Sequence, residues 1–379
     1  MYNRDPRIMI LTAGFGDGHL QVSLALKQRF LRQGVKNVQI IDLMKEAHPI
    51  LNSISTKLYL QSTVTSQYGL DYYGWGYYLT RDTKPEGSLS KYFNYLGKKK
   101  LQELILRARP DVIINTFPFG AASEIGRELS IPTYTIITDF ALHGCWIHPD
   151  TNRYYVATEE LKDEIIAKEA ASAEQIEVTG IPLRPTFYEE PSYPYPLFPQ
   201  LNPLKELVLI SAGSYGVLHH VDKMASVMLG KGNCQIAIVC GRNQKLEFKL
   251  TEQFAGHPDV HVFGFVERVH ELMALASCMV TKAGGITLSE ALALKLPVFI
   301  YKPFAGQEKE NALYFANKGI AQISYSVQEL EEQFHQFISV PAASQTIKKR
   351  MAAMYKGEST DLIVKDIMRT IGQPELVPV

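Results

Sequence analysis

Several features that would narrow a function quickly are missing from this sequence. Only four cysteines occur in 379 residues: Cys145, Cys234, Cys240 and Cys278. None forms a C-x-x-C pair, which argues against a zinc knuckle or a redox motif and points to a reducing compartment. Three of the four sit in or beside apolar strand-like runs, where cysteine packs as a small hydrophobe. No run of about 18 apolar residues exists, so no transmembrane helix is expected. The apolar start, residues 7–13, is too short for a signal peptide and leads straight into glycines, so it reads as a buried first strand. No D-x-D triplet occurs either. The chain therefore lacks that carboxylate spacing for holding a divalent ion, and no metal is expected. Net charge is absent as well, since 39 Lys and Arg balance 39 Asp and Glu. A uniformly basic nucleic-acid binder is thereby excluded.

The neutrality is a local cancellation. Residues 1–100 carry 14 basic and 7 acidic side chains, residues 101–200 carry 7 and 15, and residues 201–379 carry 18 and 17. The basic excess coincides with an aromatic segment, residues 59–100. It holds Tyr59, Tyr68, Tyr72, Tyr73, Tyr77, Tyr78, Tyr92, Tyr95, Trp75 and Phe93, and closes on Lys98-Lys99-Lys100. Aromatic rings favour the membrane–water interface and lysines favour anionic headgroups, so a peripheral contact with an anionic membrane surface fits. Stacking on single-stranded nucleic acid also pairs aromatics with cations. An ordinary core helix with half-buried tyrosines is the third reading.

Short β-rich runs alternate with helical stretches from end to end. Strands are expected at 8–13, 38–43, 111–116, 133–138 and 154–157, then at 207–212, 235–240, 261–263, 278–281 and 298–301. Many are continuous apolar runs, as in strands covered on both faces. Helices are expected at 18–33, 159–169, 267–276, 286–294 and 308–318. Repeated βα units of this kind predict an α/β fold with parallel, doubly wound sheets. A break separates the two series, because 6 of the 20 prolines fall between Pro185 and Pro203. Proline at that density disfavours helix and central strand alike. The expected organisation is a first domain over 1–185, a linker over 186–204, a second domain over 205–343 and C-terminal helices over 344–379 that pack back on the first domain. Ligands of such sheets bind beyond the carboxyl ends of the strands, so a cleft between two such domains is the expected place for chemistry.

Five strand-to-helix turns carry the candidate residues. Gly14-Phe15-Gly16-Asp17-Gly18-His19 follows the first strand. Gly16 and Gly18 let a ligand approach the backbone at a helix start, and His19 has the chemistry of a general base. A dinucleotide fingerprint, with Asp42 ending the second strand, competes weakly because the spacing is G-x-G-x-G. A purely structural turn is the other alternative. Thr281-Lys282-Ala283-Gly284-Gly285-Ile286-Thr287-Leu288-Ser289-Glu290 offers backbone N–H groups and a hydroxyl to a diphosphate, with Glu290 placed to accept from ribose hydroxyls. Beyond the next strand, Gln307, Glu308 and Asn311 gather polar groups at another helix start. A solvated charged turn is the plain reading of that loop alone, but two such loops on adjacent strands favour a sugar-nucleotide pocket. Ser214 lies in the Gly-rich turn 211–216, and Arg184 ends the first domain with a guanidinium suited to phosphate. Asp139 and His143 follow a strand end at 138–146. A structural Asp cap beside a buried His competes there with a catalytic role.

Taken in order, these blocks resemble the processive diacylglycerol glucosyltransferases of Gram-positive bacteria, which belong to glycosyltransferase family 28. They are related to plant galactolipid synthases and more distantly to the peptidoglycan N-acetylglucosaminyltransferase. The resemblance covers nearly the whole chain. It departs at Ala283, where relatives have proline before the glycines, and in the pair Ser214-Tyr215. It implies a two-domain GT-B fold, with a lipid acceptor in the first domain and a UDP-sugar donor in the second. By that similarity Phe265 and Val266 contact uracil, Glu290 the ribose, and Arg184, Ser214, Gly284, Gly285 and Thr287 the diphosphate. Gln307, Glu308 and Asn311 then hold the hexose. His19 is the expected base, with Asp139 and His143 as alternatives or orienters. The expected reaction is inverting and metal-independent, moving glucose from UDP-glucose to 1,2-diacylglycerol or to a glycosyl-diacylglycerol, as in making glycolipid anchors for lipoteichoic acid. UDP-glucose is a substrate here and no cofactor is expected. UDP-galactose or UDP-N-acetylglucosamine as donor is the nearer alternative, and a UDP-sugar-binding regulator the further one. A peripheral location at the cytoplasmic face of the membrane, without nucleic acid, completes the expectation.

Overall fold

A computed structural model describes residues 5–14, 17–47, 72–81, 97–189, 198–230 and 233–372. The chain divides into two compact units. One comprises Met1–Pro185 with Lys356–Val379, and the other Thr186–Tyr355.

The first unit holds β1 (Arg7–Thr12), β2 (Asn37–Asp42), β3 (Val112–Asn115), β4 (Thr133–Ile136), β5 (Arg153–Val156) and β6 (Ile176–Val178). They form one sheet in the order β2-β1-β3-β4-β5-β6, with every pairing parallel. β3 and β4 are buried along their whole length. Their apolar residues have no solvent face to alternate with, because helices cover both sides. Met9, Leu11 and Ile113 pack there with Leu101 and Ile105 of the helix Lys98–Ala108 and with Ile125 of the helix Gly120–Glu128.

The second unit holds β7 (Glu206–Ser211), β8 (Cys234–Val239), β9 (Val260–Phe263), β10 (Cys278–Thr281), β11 (Val298–Tyr301) and β12 (Ala321–Ser324). Their order is β12-β11-β10-β7-β8-β9, again all parallel. Phe299 anchors this core, with its ring centroid 6.1 Å from that of Phe334 and 5.5 Å from that of Phe337.

In each sheet the strand order reverses beside the first strand. The reversal lies between β1 and β3 in the first unit and between β7 and β10 in the second. Loops leaving the carboxyl ends of those strands diverge there and open a crevice for ligands. The loops carrying His19 and the Gly284-Gly285 pair are two of them.

The C-terminal helices part company. Helix Pro341–Met354 belongs to the second unit, whereas helix Ser359–Thr370 belongs to the first. The latter buries Ile363, Val364, Ile367 and Met368. Asp366 fixes it, accepting from Arg153 Nη1 at 2.5 Å and from the Tyr155 hydroxyl at 2.8 Å. Burial raises the carboxyl's pKa, but Tyr155, Arg153 and Arg369 outweigh it and leave Asp366 below the ordinary carboxylate range. Arg29 pairs with Asp361 on the same helix. Of the Pro-rich linker, residues 190–197 lie outside the described residues, and Phe198 packs edge-on against Phe263 with centroids 5.8 Å apart.

Candidate active site

In the first unit the site begins at the end of β1. Gly16 lies outside the described residues. Gly18 opens the helix Gly18–Arg32, whose N-cap residue Asp17 makes no side-chain cap hydrogen bond. His19 stands in its first turn. Its Nδ1 lies 2.8 Å from the Thr116 carbonyl oxygen, which can only accept, so Nδ1 carries the proton. Thr138 Oγ1 lies 3.1 Å from the same nitrogen. The tautomer is therefore set, and Nε2 keeps its lone pair and has no hydrogen bond among the described residues. Burial lowers the His19 pKa to about 4, with the Thr116 carbonyl pulling the other way. Phe117 meets the ring edge-on at 5.2 Å and Trp146 lies 6.1 Å away. Thr116 is itself held by its N–H to the Leu11 carbonyl at 2.9 Å and by Ser23 Oγ at 2.9 Å. Loops after β1, β3 and β4 thus all converge on one imidazole.

Asp139 and His143 lie buried in the loop after β4. His143 Nδ1 accepts from the Cys145 N–H at 3.2 Å, and its Nε2 lies 3.1 Å from Thr80 Oγ1. Both ring nitrogens are thereby engaged, and the ring also packs against Tyr77 at 4.7 Å. The geometry ties His143 to the helix Tyr72–Arg81. Of the two histidines, His19 alone has a ring nitrogen without a hydrogen bond among the described residues. The Cys145 thiol is pushed up to about 12 by burial first and then by the charge of Asp139, so it stays protonated and is a poor nucleophile. Arg184, half-buried, also belongs to the first unit. Beside it, Leu183 is pinned through its N–H and carbonyl to Thr360 Oγ1, at 3.1 and 2.7 Å.

In the second unit the remaining candidates gather beyond the strand ends. Ser214 follows β7, and its carbonyl accepts from the Arg242 N–H at 2.9 Å. Phe265 and Val266 follow β9, with Phe265 57% exposed. The Arg242 guanidinium lies over the Phe265 ring at 4.9 Å and 5.9 Å from that of Tyr215. Arg242 escaped the sequence reading, although its place just after β8 and a glycine was a usable signal. After β10, Gly284 caps the helix Gly285–Ala293 in extended conformation with no side-chain cap. The first-turn N–H groups there have no intrahelical acceptor and suit an anion. Thr287 and Glu290 are half-buried on that helix.

After β11, Gly306 takes φ 90 and ψ −141, a conformation glycine alone adopts readily, and opens the helix Gln307–Asn317. Gln307 is half-buried in its first turn. Glu308 Oε1 accepts from Lys282 Nζ at 2.8 Å. Its Oε2 is buried without a hydrogen-bond partner among the described residues. Asn311 is fully buried, and its Nδ2 donates to the Ala283 carbonyl at 3.2 Å, so this amide braces the glycine loop. Among the described residues no three His, Cys, Asp or Glu side chains come together as metal ligands.

Of the basic aromatic segment, Tyr59, Tyr68, Tyr92, Phe93 and Tyr95 lie outside the described residues, as do the side chains of Tyr72, Tyr73 and Trp75. Tyr77 is buried, so for this ring the core reading holds. Tyr78 and Leu79 are exposed at 41% and 67%. Lys98 pairs with Glu124 at 2.7 Å and Lys100 with Glu103 at 3.0 Å, which neutralises two of the three lysines locally. No described helix is long and apolar enough to cross a membrane.

Residues 19–183 match the model of the monogalactosyldiacylglycerol (MGDG) synthase family, and residues 207–367 match the glycosyltransferase family 28 C-terminal domain. The chain is 38% identical to a processive diacylglycerol beta-glucosyltransferase of Bacillus mycoides, over 99% of this chain and 97% of that one. A relative of the same name from Bacillus thuringiensis is 38% identical over 96% and 94%. Among solved structures, Acinetobacter baumannii MurG superposes with TM-score 0.61 at 16% identity, covering 96% of this chain and all of that one. The O. sativa protein Os79, in complex with U2F and trichothecene, gives 0.66 at 14%, covering 97% and 100%. These likenesses establish an α/β fold of the GT-B type.

Proposed function

We propose that this chain, which belongs to the family of the processive diacylglycerol beta-glucosyltransferases, moves glucose from UDP-glucose to the free hydroxyl of 1,2-diacylglycerol. The observation that carries the chemistry is His19, a neutral imidazole with a fixed tautomer and an Nε2 without a hydrogen bond among the described residues, at the strand-order reversal of the first sheet. The acceptor oxygen attacks the anomeric carbon opposite UDP while its proton passes to Nε2. The bond from the anomeric carbon to the β-phosphate oxygen breaks, and the configuration inverts. Charge growing on UDP is met by the uncapped helix start at Gly285, with Thr287 and Ser214 as further donors. Glu290 accepts from the ribose, Phe265 and Val266 hold the base, and Gln307 and Glu308 hold the hexose. A product glucosyl-diacylglycerol still carries hydroxyls and can return as acceptor, which gives di- and higher glucosyl lipids.

The MGDG synthase match over residues 19–183 favours one second reading, transfer of galactose. Glucose is preferred because the relatives named for it match along the whole chain. The purified protein is expected to release UDP from UDP-glucose with diacylglycerol, and mass spectrometry should find lipids carrying one and two hexoses. UDP-galactose and UDP-N-acetylglucosamine are supplied in separate reactions. Product from UDP-galactose alone would replace the first reading by the second, and no product from any donor would sink both.

An acceptor with two acyl chains stays in the bilayer, so the enzyme works as a peripheral protein, at the cytoplasmic face where UDP-sugars are made. The exposed Tyr78 and Leu79 support a surface contact. With Lys98 and Lys100 already paired, the electrostatic share should be modest. Vesicle binding is expected to rise with the fraction of anionic lipid and to weaken several-fold between low and physiological salt. Indifference to both would leave the aromatic contact alone as the anchor.

A further inference from the structure

The half-buried ion pair between Lys282 and Glu308 joins two loops of the second unit. Lys282 immediately follows β10, Glu308 lies in the first turn after β11, and these strands are neighbours in the sheet. The side chains are only 14% and 15% exposed. The Lys282 stem also reaches a third loop, since a Cβ built on Gly213 after β7 would lie 3.7 Å from Lys282 Cε. Its ammonium sits 4.9 Å from the Phe304 ring centroid. One lysine thus connects the loops that follow β7, β10 and β11.

The carboxylate it holds is used asymmetrically. Oε1 accepts from Lys282, while Oε2 is buried and has no partner among the described residues. A buried carboxylate oxygen without a donor is costly and calls for an explanation. A hydroxyl of a bound sugar would supply the donor. We infer that Lys282 is a positioning residue for the donor hexose: it occupies one oxygen of Glu308 and so presents the other to a single sugar hydroxyl. The inference rests on the UDP-sugar reading and deepens it. It assigns Lys282 to the sugar half of the donor, through Glu308, and not to the diphosphate.

Calorimetric titration of the whole chain with UDP and with UDP-glucose separates the two roles. Lys282→Met is expected to weaken UDP-glucose about tenfold or more and to leave UDP within about twofold. Lys282→Arg keeps the charge, but its guanidinium can take both carboxylate oxygens, so it should lose UDP-glucose selectively as well. A lysine serving the diphosphate as a point charge would be rescued by arginine. Breaking a buried pair destabilises a protein, so Lys282→Met/Glu308→Gln, which removes both charges together, is the second variant. It should bind UDP normally and UDP-glucose weakly. A parallel fall in UDP affinity in Lys282→Met, or unchanged affinity for both ligands, would overturn the inference. Failure of the unaltered protein to bind either ligand would instead overturn the UDP-sugar reading itself.

Discussion

Replacing His19 with alanine is expected to lower kcat by about 10²–10⁴-fold, the usual worth of a positioned general base. KM for UDP-glucose should change little, because the donor loops are built from β7 to β11 in the other unit. The pH profile gives a sharper check. Burial lowers the His19 pKa to about 4, so the imidazole stays neutral well below the ordinary value of 6.5. The acid limb of kcat/KM should then fall nearer pH 4 than pH 6.5. Stability carries the same signature. Between pH 6.5 and about 4 the unfolded chain binds a proton at this residue and the folded chain does not, so His19 makes the fold lose stability as pH falls through that window. His19→Ala should flatten that slope. Turnover near that of the unaltered protein, with a normal melting curve, would remove His19 from the reaction. His143→Ala tests the contrast. Both of its nitrogens are engaged with Cys145 and Thr80, so it should chiefly loosen the helix Tyr72–Arg81 and leave the acid limb in place.

The contrast between these histidines shows what a sequence carries and what it does not. Both follow strand ends, and residue type alone made both candidates. What separates them is distant in the chain. His19 is oriented by a main-chain carbonyl 97 residues away, and a carbonyl has no signature in sequence. His143 is occupied by a threonine 63 residues earlier. The core strands were legible because burial on both faces leaves continuous apolar runs, as in Val112–Asn115 and Val298–Tyr301. Ten of the twelve described strands were read, most of them for that reason, and two of the four edge strands escaped. Ile176–Val178 is three residues long with an exposed glutamate in the middle, and Ala321–Ser324 alternates with Gln322 and Ser324. Short, half-polar edges give periodicity too little length to register. The pairing of Lys282 with Glu308 follows from β10 lying beside β11, and so appears only once the strand order is known. The fastening of the last helix, an aspartate at 366 meeting Arg153 and Tyr155 from β5, was not legible either.

Gly241→Ala should be among the most damaging single substitutions in the second unit, although it adds only one methyl group. Gly241 takes φ +60, and a Cβ there would lie 2.3 Å from the Gly213 carbonyl oxygen and 2.6 Å from that of Ser214. Both atoms are backbone, so no side-chain rotation relieves the overlap. Gly213 O and Ser214 O are also committed, accepting from the Gly216 and Arg242 N–H groups at 3.0 and 2.9 Å. The loops after β7 and β8 thus lie back to back with no room for a side chain, and relief requires moving the turn that carries Ser214. Left-handed backbone costs about 1–2 kcal/mol for an alanine, and overpacking adds about 1–3 kcal/mol. A loss of roughly 2–5 kcal/mol would lower the melting temperature of a unit this size by about 5–15 °C. UDP affinity should fall at least tenfold, because the displaced turn carries Ser214, proposed above as a donor to the diphosphate. Gly256→Ala isolates the steric share. Gly256 has φ +75 but nothing within 4 Å of an added Cβ, so it meets the conformational cost alone and should leave UDP affinity intact. Equal melting temperatures for the two variants would mean that the loops yield easily, and the close packing after β7 and β8 would not be what holds Ser214 in place.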